Sequence, residues 1–94
     1  MADTYGAANR RIAELLGRDA AENFYGDLNA SIKALPDKAE ASFSMEKDGA
    51  KRVTINYNYG TWLFFGGSYG GYAEAFAMAL EKCLAWLKDN PDQA

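Results

Sequence analysis

Around one Asp-Gly step the apolar residues of this chain recur at every second position. Ala41, Phe43 and Met45 alternate with Glu40, Ser42, Ser44 and Glu46 on one side. Val53, Ile55, Tyr57 and Tyr59 alternate with Arg52, Thr54, Asn56 and Asn58 on the other. A period of two places apolar side chains on one face of a strand. Asp48-Gly49 between two such runs marks a hairpin, because its turn needs positive φ.

Gly60-Thr61 then turns the chain into a third strand, Trp62 to Phe65. Four consecutive large apolar residues imply that both faces of this strand are covered or that one meets a partner. On either side of the strands the spacing becomes helical. Tyr5, Ala8, Ile12, Leu15 and Leu16 predict a first helix, with Thr4 as its cap and Gly17 at its end. Asp19 and Glu22 form a capping-box start for a second, which carries Ala21, Phe24, Tyr25, Leu28, Ile32 and Leu35 and stops before Pro36. Tyr72, Phe76, Leu80, Cys83 and Leu87 predict a last helix, stopped by Asn90-Pro91. The expected fold class is α+β: two N-terminal helices, a three-stranded antiparallel sheet, and a C-terminal helix packed on the sheet. Phe43, Val53, Ile55, Phe76, Leu80 and Leu87 are its expected core. Residues 1–94 make one domain, with ends 1–3 and 90–94 expected to fray.

Gly66-Gly67-Ser68-Tyr69-Gly70 fits G-x-S-x-G, the turn that presents a nucleophilic serine. That serine needs a base, normally an imidazole, and the chain has no histidine. Ser68 therefore reads as a turn residue or helix cap, and a Ser–Lys pair with Lys82 or Lys88 would need a desolvated lysine. One cysteine and no histidine leave only carboxylates for a metal, at no calcium-loop spacing. The expectation is a non-enzyme with no catalytic residues, no metal and no cofactor. A small-ligand or hydrolase site at the Gly66–Gly71 loop is the minor alternative, because glycines between a strand and a helix can cradle phosphate. Here they lack the lysine and hydroxyl of a phosphate loop.

Ten Lys and Arg against thirteen Asp and Glu give a net charge of −3, which disfavours direct nucleic-acid binding and suits a protein partner with a basic surface. A lone cysteine and no cationic, apolar leader suggest the cytoplasm, and no apolar run is long enough to span a membrane. From Asp19 to Leu87 the element order resembles the double-stranded-RNA-binding domain. Where that family places a lysine cluster, this chain has Tyr72, Ala73 and Glu74. Nine aromatic residues between Tyr57 and Trp86 are the best remaining lead, since Tyr and Trp are favoured at protein interfaces. Tyr57, Tyr59, Trp62 and Tyr69 are the candidate anchors, and Glu46 and Asp48 the candidate charged contacts. In general profile the chain is similar to small inhibitors encoded by phages and mobile elements, of the anti-CRISPR type. That resemblance implies a protein that covers a surface of a larger, nucleic-acid-handling complex. The alternative is a self-associating structural domain, a homodimer paired through the third strand.

Overall fold

The computed structural model describes residues 4–17, 32–33 and 35–93. Helix α1 spans Thr4–Leu16. Strands β1 (Ala39–Met45), β2 (Lys51–Tyr57) and β3 (Trp62–Ser68) follow, then helix α2 (Tyr72–Asp89) and a short 3-10 turn, Pro91–Gln93. The sheet is antiparallel in the order β1-β2-β3. Most of the expected second helix falls outside the described residues. Of it, Ile32 and Lys33 are helical and Leu35 is buried. Among the described residues the N-terminal region thus contributes one full helix, not two.

The β1–β2 register pairs Phe43 with Val53 and Ala41 with Ile55, as the alternation requires. Their loop is longer than a two-residue turn. Glu46 N–H reaches Ala50 O at 2.8 Å, Gly49 N–H reaches Glu46 O at 3.0 Å, and only Gly49 takes positive φ, at 95°. That is a type I turn closed by a glycine bulge. The second turn, Asn58 to Thr61, holds three successive left-handed residues: Asn58 at φ 56°, Tyr59 at 58° and Gly60 at 85°.

Val53, Ile55 and Tyr57 of β2 point to the face covered by α2 and pack with Phe76, Leu80 and Cys83. Of the six expected core residues, Val53, Ile55, Phe76 and Leu80 are fully buried. Phe43 and Leu87 are half-buried against them, Phe43 stacking on Phe76 at 6.1 Å. Helix α1 packs mainly on α2, burying Ala8, Ile12 and Ala13, so among the described helices α2 makes the main contact with the sheet.

β3 runs to Ser68, three residues beyond the expected end at Phe65. Gly66 and Gly67 are strand residues, and only residues 69–71 form the loop. Gly66 sits opposite Val53 on the covered face. A Cβ there would collide with Ala75 O and lie 2.8 Å from Ala79 N, so the glycine lets the α2 backbone rest on the sheet. Ala75 and Ala79, one turn apart on α2, are the residues at that contact, and their small side chains keep the approach close. Residues 90–93, expected to fray, are tied back. Asn90 donates its side-chain amide to Trp86 O at 2.8 Å, and Gln93 O accepts from Tyr57 Oη at 2.8 Å.

Candidate functional site

One face of the sheet carries α2. The other is open among the described residues. Glu40, Ser42 and Ser44 of β1, Arg52, Thr54 and Asn56 of β2, and Leu63, Phe65 and Gly67 of β3 share that open side by register. Two of its strands are polar there, as a solvated antiparallel face should be. β3 is not: Leu63 is 51% and Phe65 47% exposed. The four-residue apolar run resolves into Trp62 and Phe64 on the covered side and Leu63 and Phe65 on the open side.

The residues expected to form one binding patch separate. Tyr57 is 2% exposed and belongs to the core. It is the last inward residue of β2, its ring meets Trp86 edge-on at 6.0 Å, and its hydroxyl is satisfied by Gln93. The period of two that groups it with Tyr59 breaks at Asn58, where the chain turns left-handed. Tyr59 is 96% exposed at the tip of that turn. Trp62 lies beside it, partly exposed and leaning on Trp86 with ring centres 4.9 Å apart.

Tyr69, Glu46 and Asp48 sit at the opposite end of the sheet, about 20 Å away along the seven residues of β2. Tyr69 is 70% exposed, and its hydroxyl donates to Asp48 Oδ2 at 2.6 Å. That bond, with Ala50 N–H at 3.1 Å, holds the Asp48 carboxyl below its ordinary pKa, while the carboxylate pushes the Tyr69 phenol up. Glu46 is taken by Arg52 at 2.9 Å. From Glu46 to Arg52 the hairpin carries two acids and three bases, Lys47, Lys51 and Arg52. The two carboxylates are thus set among three cations.

Ser68 is the last residue of β3. Its Oγ accepts from Gly70 N–H at 2.9 Å and lies 3.2 Å from Glu74 Oε1. The α2 cap is Gly71, with no side-chain bond, so Ser68 links the strand end to the first helical turn without capping it. Lys82 Nζ donates to Phe65 O at 2.7 Å. A cleft of about 340 Å³ beside Ser68 is lined mainly by Ala7, Ala8, Ala77 and Met78. Arg11 at its rim is held by Glu81 at 3.0 Å. Among the described residues no group of three potential metal ligands converges, and no helix is long and apolar enough to cross a membrane.

Leu63 and Arg52 were not singled out by residue type; Phe65 entered only within the aromatic cluster, Gly67 within the glycine loop and Lys82 as a rejected partner for Ser68. The signal for Leu63 and Phe65 was the unbroken apolar run, read as covered on both faces or meeting a partner on one, without assigning which residues take which face. Compared with protein-family models, with curated proteins and with solved structures, the chain matches none.

Proposed function

We propose that this chain is a non-enzymatic protein-binding module whose contact surface is the open sheet face along β3, continued at the strand's turn end by Tyr59. The observation that carries the reading is Leu63 and Phe65 side by side on a face that no described element covers. Tyr59 adds to it. Its left-handed backbone costs an L-residue with a side chain about 1–2 kcal/mol, and a fully solvated ring returns nothing to the fold. Large amphipathic aromatics at such positions are interface anchors. The narrower form of the proposal is an inhibitor that covers a surface of a nucleic-acid-handling complex, with Tyr69 as a secondary contact at the far end.

Self-association through β3 is the weaker reading. Lys82 occupies the Phe65 carbonyl in the middle of the edge, and pairing with a second copy there would bring two such ammonium groups together. Replacing Leu63 and Phe65 together by Ser tests the main reading. The double variant should keep the wild-type thermal midpoint and lose binding to the partner captured from the native host. Unchanged binding by the folded variant overturns it.

A further inference from the structure

Adjacent glycines in β3 differ in what accounts for them. Gly66 is required by the α2 backbone. Gly67 is required by nothing within the described chain. Its φ lies outside the left-handed region, and a Cβ would meet only Lys51 O, at an ordinary 3.8 Å. A glycine inside a strand weakens it and recurs at bulges, tight bends and sites of close approach by another backbone or a ligand; the even β2–β3 register shows no bulge at Gly67.

Gly67 is the floor of a groove of about 370 Å³ bordered by Arg52, Phe65 and Lys82. Arg52 is its direct cross-strand neighbour on the open face. Lys82 reaches the β3 edge from α2 to donate to Phe65 O, so that carbonyl faces outward. By the alternation of an antiparallel ladder, the backbone groups of Leu63 and Gly67 face the same way. Among the described residues only Lys82 partners this edge.

On the reading of β3 as a protein-binding strand, we infer that its edge accepts an extended, acid-bearing segment of the partner protein as a fourth strand. The segment's N–H takes over Phe65 O, and Lys82 swings from that carbonyl to the segment's carboxylate. The missing side chain at residue 67 leaves room for the same carboxylate to cross to Arg52, where it competes with Glu46, the present partner at 2.9 Å. Charge complementarity selects this occupant over a second copy. The outward side chains of β3 are Leu63, Phe65 and Gly67, with no acid among them, and a two-fold pairing would bring two Lys82 ammonium groups together. The unpaired backbone groups of a strand edge select it over nucleic acid, because a peptide strand pairs with them and a sugar-phosphate chain does not.

A random peptide library displayed on phage, selected on the immobilised chain, tests the inference. Enriched peptides should carry Asp or Glu within a β-branched run and should shift the amide resonances of Leu63, Phe65 and Gly67. Exchanging the acid for its amide, or introducing Lys82→Gln or Gly67→Val, should each weaken binding at least about tenfold. Gly67→Ala, which should fold at least as well as wild type, should weaken it less than Gly67→Val. Enrichment without an acid, shifts confined to α1 or the 58–61 turn, tighter binding of oligouridylate than of any peptide, or a dimer on sizing chromatography that Gly67→Val dissolves would each overturn strand addition. If the Leu63/Phe65 double variant loses the captured partner but Lys82→Gln and Gly67→Val do not, the open face binds protein and only the strand-addition inference fails.

Discussion

Two neighbouring glycines should respond to the same substitution with opposite signs. In Gly66→Ala the new methyl would collide with Ala75 O and stand 2.8 Å from Ala79 N and 3.0 Å from Ala75 C. All three are α2 backbone atoms and none can rotate aside, so the helix must back away from β2 and β3. Overpacking of this kind costs about 1–3 kcal/mol, and the rigid obstacle puts the case near the upper end. Loss of glycine's unfolded-state freedom returns about 0.4–1 kcal/mol, leaving a net loss of about 2 kcal/mol. For a domain of this size that lowers the thermal midpoint by about 8–16 °C. Gly67→Ala meets no obstacle and keeps only the entropic gain, raising stability by about 0.4–1 kcal/mol. Urea denaturation of the two variants beside wild type reads both values, with unchanged m expected. Equal shifts of one sign, or a harmless Gly66→Ala, would show that α2 does not rest on β3 as described.

Tyr59→Gly should raise stability by about 0.5–1 kcal/mol in the same assay, because the left-handed backbone is relieved and no packing is lost; a lower stability would mean that the ring is held within the fold. Asp48 titrates below its ordinary 3.8, so its bond to Tyr69 contributes stability that is complete above that value and fades as pH falls through the lower folded pKa. Tyr69 titrates above 10.0, so at the alkaline end the contribution is complete below 10.0 and fades as pH rises through the higher folded pKa. NMR titration of Tyr69→Phe should return the Asp48 carboxyl toward its ordinary value, and an unmoved curve would refute the pairing. Burial pushes the Cys83 thiol up to about 11, so it should resist iodoacetamide at neutral pH in the native state and react in urea; rapid native alkylation would contradict a closed core.

The strands, the last helix and most of the core were legible because each rests on a local period. Phe43, Val53 and Ile55 declare their face two residues at a time, and Phe76, Leu80 and Cys83 declare theirs at three and four. The end of β3 was not legible. Gly66 looks like a turn residue until α2 is seen lying on it, and that contact joins residues 66 and 79 through the tertiary fold. The candidate site was half legible. Exposure of Tyr59 and Tyr69 follows from their turns, but Tyr57 reads the same as Tyr59 by period and is separated from it only by the left-handed turn that begins at Asn58. Glu46 and Asp48 look unpartnered in isolation, and their pairing needs the fold that places Arg52 and Tyr69 within reach.

The central claim is that the open face along β3 is the protein-binding surface, and site-specific photo-crosslinking in the native host tests it most directly. A photoreactive phenylalanine analogue placed at Phe65, at Tyr59, or at the exposed Arg10 of α1 reports what each position touches. Adducts with one common second protein from positions 65 and 59, and none from position 10, are the predicted result. An adduct from position 10 alone, or one from position 65 with the mass of two copies of this chain, would contradict the claim.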